Sequence, residues 1–160
     1  MLNAVHYAIM DSPLGSLSIA SSERGLVSVQ FGLNMPADGL IDDAANREVV
    51  EELQEYFEGK RTHFDLPLDI QGTPFQVAVW NELLKIPYGS TCSYIDIARS
   101  LGKPGAARAV GMANHENAIA VVIPCHRVVG SDGSLTGYAG GLYIKQQLLS
   151  IEKQSQLLFT

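Results

Sequence analysis

The first thirty residues alternate short apolar runs with turn residues. The runs HYAIM, SLSIAS and GLVSVQF are separated by DSPLG and SERG, which contain the Gly, Pro, Asp and Ser residues that turns favour. Apolar runs of this length, joined by short turns, are typical of neighbouring strands. The pattern predicts three strands in an antiparallel meander.

The segment AANREVVEELQEYFEGK changes to a helical period. Val49, Leu53, Tyr56 and Phe57 recur at the spacing of one helix face, and Gly59 stands where a C-terminal cap is expected. A helix beside a small sheet predicts an α+β unit, which we assign to residues 1–70.

The pattern from residue 71 onward predicts helices. In TPFQVAVWNELLKI, Thr73 and Gln76 form a capping box around Pro74, a position where a first-turn proline is tolerated. This helix is expected to bury an apolar set made up of Phe75, Val79, Trp80, Leu83 and Leu84. We assign residues 71–160 to a second, helical domain.

Two shorter segments follow and give the outline of a helix-turn-helix. Ser93 can cap the helix SYIDIARSLG and Gly102 can end it, and PGAARAVGMANH forms the second helix. The second helix of such a motif can enter a DNA groove, but many helical hairpins share the outline and bind nothing.

The second of these helices is unusually thin. It consists almost entirely of small residues, and Arg108 is its large charged side chain. Small residues let a helix backbone approach a surface closely, and one arginine can then reach between phosphates or into a base stack. Packing of the alanines against another helix, with a solvated Arg108, explains the same pattern equally well.

Composition and charge narrow the class of protein. With 160 residues and 46% hydrophobic residues the chain can bury a core, and two cysteines are too few for a disulfide framework or a thiolate zinc site. We see no signal peptide and no apolar stretch of membrane-spanning length, so a reducing cytoplasm is the expected location. Residues 1–70 contain 12 acidic and 4 basic side chains, whereas residues 71–160 contain 5 and 7, so the second half remains a candidate for a local basic face.

The stretch PCHRVVG holds the candidate chemistry. It follows the apolar run AIAVVI, a predicted strand, and places Cys125 beside His126. In GGLYIKQQLLSIEK, helical spacing puts Ile144, Leu148 and Glu152 on one face. A thiol with a pKa near 8.5 is only about 3% thiolate at pH 7, so a nucleophilic cysteine needs a base. Cys125, His126 and Glu152 could supply the nucleophile, the base and a carboxylate that orients the base. Burial of Cys125 as a small hydrophobe is the structural alternative.

The block RAVGMANHENAIAVVIPCHRVVGSDGSLTGYAGGLYIKQQLLSIE resembles the active-site region of the O6-alkylguanine-DNA alkyltransferases, which repair DNA by accepting an alkyl group on a cysteine of their own. That family carries I-P-C-H-R-V, preceded by R-A-V-G and an asparagine and followed by G-Y-x-G-G and a helix with a terminal glutamate. All of these occur here without a gap. The resemblance is strong over residues 72–152 and general before that.

The resemblance implies a fold and a set of catalytic roles. The fold is a small ribonuclease-H-like α/β domain with a three-stranded antiparallel sheet, followed by a helical, winged-helix-like domain that contains the helix-turn-helix. Cys125 would accept the alkyl group once, His126 would take its proton through a water, and Glu152 would hold the imidazole. Asn117 would brace the turn before the nucleophile, and Tyr94 would push on the target phosphate or assist protonation of the leaving guanine.

The resemblance also implies contacts with double-stranded DNA that carries O6-alkylguanine, through the minor groove. Arg108 would replace the base that is flipped out of the duplex. The other DNA-contacting positions are Ser93, Tyr94, Ala106 and Ala107. The guanine pocket would be lined by Val128, Tyr138 and Ala139. No cofactor is implied, and the protein would act as a monomer.

Two departures and several alternatives accompany this hypothesis. Ala139 stands where some relatives have a serine. Zinc-binding relatives have cysteines and histidines near the N-terminus, where this sequence has only His6, so no structural metal is expected. Cys92 is expected to be a buried structural thiol. A non-enzymatic protein that recognises alkylated DNA is the nearest alternative, but that group replaces the acceptor cysteine. A zinc deaminase would need P-C-x-x-C and H-x-E motifs, and this sequence contains neither. A cysteine hydrolase would need an oxyanion hole. A helix-turn-helix regulator would leave PCHRV unexplained.

Overall fold

The structure, a computed structural model, describes residues 4–159, with side chains described as far as Ser155. The chain divides into two compact units. One comprises the chain up to Gln71 together with Ala118–Val122, and the other comprises Gly72–Asn117 and the chain from Ile123 onward. Among the described residues, no helix is both long enough and apolar enough to span a membrane.

The first unit is built on the predicted meander. Strands β1 (His6–Ser12), β2 (Gly15–Ser22) and β3 (Gly25–Phe31) pair antiparallel in sequence order, as the alternation of apolar runs and turns predicts. The turn before β3 requires glycine, because Gly25 has φ +142° and a Cβ there would lie 2.4 Å from the carbonyl oxygen of Pro67. The three predicted strands are therefore confirmed.

The prediction of a three-stranded antiparallel sheet is wrong in one respect. A fourth strand, β4 (Leu40–Ile41), pairs parallel with β1 at His6 and Tyr7, so the sheet is mixed and has the order β3-β2-β1-β4. Two residues are too few to show an alternating pattern, and both side chains are exposed. The sequence therefore contained no periodic signal for this strand.

Helix α1 (Arg47–Phe57) follows the sheet. It buries Val49, Leu53 and Tyr56 on the face that the sequence predicts, and the predicted end is confirmed at Gly59, which has φ +74°. Glycine reaches this left-handed conformation without the steric cost that a Cβ adds.

The predicted strand AIAVVI is not a strand. Its backbone makes one bridge, between Ile119 and Val29, and then turns, with a hydrogen bond from the amide of Val122 to the carbonyl of Ala120 (2.8 Å). Val121 at the centre of this turn has φ +70°. A short apolar run is compatible with any buried segment, so periodicity alone could not exclude this irregular path.

The second unit begins with α2 (Pro74–Leu83). The Thr73–Gln76 capping box is present in both directions, and Val79, Trp80 and Leu83 are buried, as predicted. Leu84 is 41% exposed, so its predicted burial is wrong; the helix ends at Leu83, and Leu84 is its C-cap residue. Phe75 is only half-buried.

The helix-turn-helix outline is also present. Helix α3 (Tyr94–Ser100) is capped by Ser93, whose hydroxyl accepts a hydrogen bond from the amide of Asp96 (3.1 Å). Helix α4 (Ala107–His115) packs on both α2 and α3. Strand β5 (Cys92–Ser93) precedes α3 and pairs parallel with β6 (Val128–Val129), and the long helix α5 (Leu142–Phe159) ends the unit.

Candidate functional site

Cys125 opens a single 3-10 turn, Cys125–Arg127, directly after Pro124. Two tight hydrogen bonds shape this turn, from the amide of Cys125 to the carbonyl of Ile123 (2.8 Å) and from the amide of Arg127 to the carbonyl of Pro124 (3.0 Å). The thiol is 4% exposed. The backbone amides of Cys125 and His126 donate hydrogen bonds to its sulfur, and these bonds favour the thiolate form.

His126 and Glu152 meet in the interior of the unit. The Nε2 atom of His126 lies 2.5 Å from Oε2 of Glu152, and both residues are fully buried. Arg127 completes the pair, because its Nε donates to Oε1 (2.8 Å) and its Nη2 to Oε2 (3.1 Å) of the same carboxylate. The amide of Gly89 donates a further bond to Oε1 (3.2 Å).

These contacts fix the protonation states of the pair. Burial raises the pKa of Glu152, but the hydrogen bonds and charges of His126 and Arg127 outweigh it and hold that pKa at about 2. Burial lowers the pKa of His126 against the opposing pull of Glu152, so the imidazole is neutral at neutral pH. An ionised carboxylate only accepts, so Nε2 carries the hydrogen and Nδ1 carries the lone pair. Nδ1 is buried and has no hydrogen-bond partner within the described residues, which leaves it able to accept a proton.

The thiol itself is protonated in the resting protein. Burial raises the pKa of Cys125, although a hydrogen bond from the Asn117 side chain and the positive charge of Lys145 act in the opposite direction. A cysteine in this state reacts only when a base removes its proton. The arrangement therefore combines a shielded thiol with groups that stabilise its thiolate.

Two asparagines hold the backbone around the thiol. Asn117, as the sequence predicts, lies at the turn before the nucleophile, where its Nδ2 donates to the carbonyl of Ile123 (2.9 Å). Asn114, which the sequence analysis did not single out, is buried on α4 and donates to the carbonyl of Cys125 (3.3 Å). The Cys125 turn is thus held from both of its sides.

Lys145 is a second residue that the sequence analysis missed. Its side chain is fully buried, and its Nζ donates to the carbonyls of Val128 (2.5 Å) and Thr136 (2.7 Å). Burial lowers its pKa, and Cys125 opposes that shift when its thiol is ionised. We call Cys125, His126, Arg127, Lys145 and Glu152 the thiol cluster.

The signals for these missed residues were present in part. Arg127 belongs to the PCHRV motif, and Lys145 precedes Glu152 by seven residues, a spacing that puts both on one face of α5. Leu148 lies on that buried face as predicted, whereas Ile144 is only half-buried. Asn114 had no comparable signal, because its contact depends on how α4 packs.

The predicted pocket residues lie in different environments. Val128 is fully buried and Tyr138 is 7% exposed. Burial raises the pKa of Tyr138, and Cys125 adds to this effect when its thiol is ionised. The hydroxyl of Tyr138 is buried and has no hydrogen-bond partner among the described residues. Ala139 is exposed. Polar groups of this kind, buried and unpaired, are suited to a bound ligand.

Tyr94 connects the thiol cluster with an open groove. Its hydroxyl donates to the carbonyl of Thr136 (3.2 Å), which Lys145 also contacts, and accepts from the hydroxyl of Thr136 (3.1 Å). The groove lies between α3, the exposed side of α4 and the loop 130–137. We call it the α4 groove; its lining includes Tyr94, Ala107, Arg108, Gly111, Met112 and His115.

Of the predicted DNA-contacting residues, Tyr94, Ala107 and Arg108 line this groove. Arg108 is exposed on the first turn of α4 and makes no ion pair within residues 4–155. Ala106 precedes α4 as its N-cap residue without a side-chain hydrogen bond, and Ala107 is the first residue of the helix. Ser93, the cap of α3, is half-buried.

Both cysteines are free thiols, and the second one is not as predicted. Cys92 is half-buried rather than buried, because it lies in the two-residue strand β5, and burial raises its pKa to about 11. Within residues 4–159, no three His, Cys, Asp or Glu side chains are arranged to hold a metal ion. The expected lack of a structural zinc stays a prediction.

Two protein-family models match the chain. The 6-O-methylguanine DNA methyltransferase ribonuclease-like domain matches residues 5–70, and the DNA binding domain of the same family matches residues 74–154. The chain belongs to this methyltransferase family. The family resemblance deduced from PCHRV and its flanking motifs is therefore confirmed.

Relatives of this methyltransferase match over nearly their whole length. The methylated-DNA--protein-cysteine methyltransferase of Methanosarcina barkeri is 48% identical over 156 residues, which cover 94% of this chain and 99% of the relative. The protein of the same name from Mycobacterium tuberculosis is 47% identical over 153 residues, or 93% of each chain. The crystal structure of Mycobacterium tuberculosis OGT in complex with DNA superposes with a TM-score of 0.89, at 46% identity and 94% coverage of both chains.

Proposed function

We propose that this protein repairs DNA by moving an alkyl group from O6-alkylguanine to its own Cys125, once per molecule. The observation that carries the proposal is the thiol cluster, in which a buried thiol adjoins a neutral histidine that is oriented by an anionic glutamate. Family membership and the names of the relatives give the reaction class.

The proton moves first. The lone pair on Nδ1 of His126 accepts the thiol proton of Cys125 through a water molecule, and Glu152 stabilises the imidazolium through Nε2. Lys145 and Asn117 stabilise the thiolate that remains. The cost of ionising a buried thiol is thereby shared among groups that are already in position.

The alkyl group moves next. A sulfur lone pair of the thiolate forms a bond with the alkyl carbon as the bond from that carbon to O6 breaks, and guanine leaves with the bonding electrons. A proton neutralises the leaving guanine, and Tyr94 is the residue that we propose assists this step or pushes on the target phosphate. The product is a thioether on Cys125, and no group in the thiol cluster can reverse it, so one turnover is expected.

The target base must leave the stack to reach a thiol that is 4% exposed. We propose that double-stranded DNA binds the α4 groove through its minor groove, with Arg108 replacing the flipped nucleotide and Val128, Tyr138 and the backbone of Ala139 holding the guanine. The small residues Ala106 and Ala107 support the close approach, and we propose Ser93, the cap of α3, as a phosphate contact. The unpaired, buried hydroxyl of Tyr138 supports a ligand at this position.

Further parts of the proposal concern organisation. We propose domains at residues 1–70 and 71–160, which the matched family ranges support, with a winged-helix-like arrangement around α3 and α4. A monomer in the cytoplasm is the proposed state, and the two free thiols support a reducing compartment. O4-alkylthymine is a second possible substrate of the same pocket.

A protein that recognises alkylated DNA without repairing it is the alternative function. It would need the α4 groove but not a reactive thiol. The presence of Cys125 beside an oriented, neutral His126 favours repair over recognition alone.

Intact mass spectrometry tests the proposal. After mixing with a duplex that carries O6-methylguanine, the protein is expected to gain about 14 Da, the mass of one methylene, and to stop at one equivalent. Cys125→Ala should gain nothing. Cys92→Ala is the matched control and should react like the wild type, because a half-buried thiol with a pKa of about 11 is a poor nucleophile. Tight lesion binding without a mass change would favour the recognition function.

A further inference from the structure

One large apolar side chain interrupts the thin helix α4. Met112 is 67% exposed, in a helix on which Arg108 and His115 are exposed and Gly111 is half-buried on the same side. These positions follow the spacing i, i+3, i+4 and i+7, so they share one face of the helix. All four line the α4 groove.

Exposure alone would mean little, because isolated exposed apolar residues are common on protein surfaces. The position of Met112 is what distinguishes it. It stands one helical turn after Arg108, about 6 Å along the helix axis. A side chain at this distance reaches the same few base pairs as Arg108, because successive base pairs are about 3.4 Å apart.

The surroundings of Met112 favour an apolar contact. Gly111 beside it has no side chain, and a Cβ added there would be in van der Waals contact with the Tyr94 ring at 3.8 Å. The carboxylate of Glu116, at the end of the groove, is held by a hydrogen bond that it accepts from Nε2 of Gln76 (2.5 Å). His115 is the neighbouring basic side chain.

We propose that Met112 is a second DNA-contacting side chain, an apolar wedge that enters the minor groove next to Arg108 and helps to unstack the adjacent base step. This inference rests on the proposed function, because it takes the α4 groove as the DNA site. Methionine is among the side chains that DNA-binding proteins insert between base steps, and its flexible thioether adapts to an irregular stack. Arg108 replaces the flipped base, and Met112 lowers the cost of opening the stack beside it.

The first test is a binding titration of a lesion duplex at several salt concentrations. Met112→Ala is expected to weaken binding about five- to thirty-fold, the lower part of the range for removing an aromatic side chain stacked on a base. The slope of log affinity against log salt should stay unchanged, because an apolar side chain displaces no counterions. Met112→Leu should restore binding, and Leu33→Ala, which truncates a side chain that is 71% exposed in the other unit, should have no effect.

Two further measurements separate this role from a structural one. Reaction with free O6-benzylguanine needs no duplex, so Met112→Ala should react at the wild-type rate. A 2-aminopurine placed beside the lesion should fluoresce more strongly with the wild type than with Met112→Ala, since unstacking relieves its quenching.

The outcomes are distinct. Unchanged duplex binding by Met112→Ala, or an equal loss with duplex and with free O6-benzylguanine, would overturn the inference. Weaker binding with an unchanged 2-aminopurine signal would overturn the wedge. If the wild-type protein gains no mass from the lesion duplex, the proposed function fails separately, whatever Met112 does to binding.

Discussion

The thiol cluster and the exposed side of α4 belong to the same unit but are built in opposite ways. In the cluster, three charged side chains and a histidine are buried and bonded to one another or to backbone carbonyls. On α4, Arg108 and Met112 extend from a backbone covered by small residues, with few contacts of their own. The reaction of the thiol cluster depends on contacts within the protein. The proposed recognition of DNA depends instead on exposed side chains of α4.

This difference predicts how each region responds to mutation. A buried charge that loses its partner costs stability as well as activity, because the remaining charge is left desolvated. An exposed side chain that is truncated changes stability by less than about 0.5 kcal/mol, so its loss is visible only in binding. The predictions below test that separation.

The largest effect is expected from Glu152→Gln. The change removes the negative charge between His126 and Arg127, so the free energy of unfolding in urea should fall by about 3–5 kcal/mol. The rate with free O6-benzylguanine should also fall, because the imidazolium loses its counter-charge.

The control for this prediction is an exposed ion pair. Glu58→Gln breaks the ion pair between Glu58 and Lys60, whose side chains are 53% and 68% exposed respectively. It should lower the free energy of unfolding by at most about 1 kcal/mol. If Glu152→Gln does not fold, the double variant with Arg127→Met should recover stability without recovering the rate. Equal costs for Glu152→Gln and Glu58→Gln would contradict the distinction between the two regions.

Acid should destabilise the protein through the same pair. The folded pKa of His126 lies below 6.5 and that of Glu152 lies at about 2 instead of 4.5, so in both cases the unfolded state binds protons more readily. Stability is therefore expected to fall with pH from about 6.5 downward, and Glu152 should contribute about 3 kcal/mol that is lost between about 4.5 and about 2.

Denaturant titrations across this pH range can isolate the contribution of Glu152. The difference in stability between the wild type and Glu152→Gln should be constant above about pH 4.5 and should shrink as the pH approaches 2. A difference that does not vary with pH would show that folding does not lower the pKa of Glu152.

Arg108→Ala should show the opposite behaviour to the cluster variants. Repair of a lesion in duplex DNA is expected to fall about 10- to 100-fold, because the flipped base is no longer replaced, while reaction with free O6-benzylguanine and stability stay near the wild type. Arg24→Ala, an exposed arginine of the first unit, is the control and should leave both reactions unchanged. Equal losses with both substrates would rule out a role for Arg108 in flipping.

The sequence was sufficient for the elements whose signals are local. The meander, the Thr73–Gln76 capping box and the Ser93 cap depend on residues that are neighbours along the chain, and all are present. Strand β4 could not be predicted, because its formation depends on pairing with β1 across more than thirty residues. The turn at Val121 was missed because an apolar run does not specify a backbone conformation.

The candidate site shows the same limit. Adjacent residues and a family motif identified Cys125 and His126, and helical spacing brought Glu152 into consideration. The partners that balance the charge, Arg127 and Lys145, emerged only in three dimensions, where they contact Glu152 and the carbonyl of Val128. A sequence pattern can indicate which groups take part in the reaction. It gives much less information on which groups compensate the charge of those groups once they are buried.

The smallest effect concerns the backbone that leads to the thiol cluster, which, unlike the regular helix α4, contains a strained residue. Val121 has φ +70°, and among the described residues it is the only one other than glycine with a positive φ. A β-branched residue in this conformation stores about 1–2 kcal/mol of strain. Val121 and Val122 are both buried, at 1% and 7% exposure, so replacing either by glycine loses a similar apolar contact. Only Val121→Gly also relieves strain, and it should therefore destabilise the protein by about 1–2 kcal/mol less than Val122→Gly in urea unfolding. If the two variants are equally unstable, the turn at Val121 carries no strain, and the path to Cys125 is as relaxed as α4.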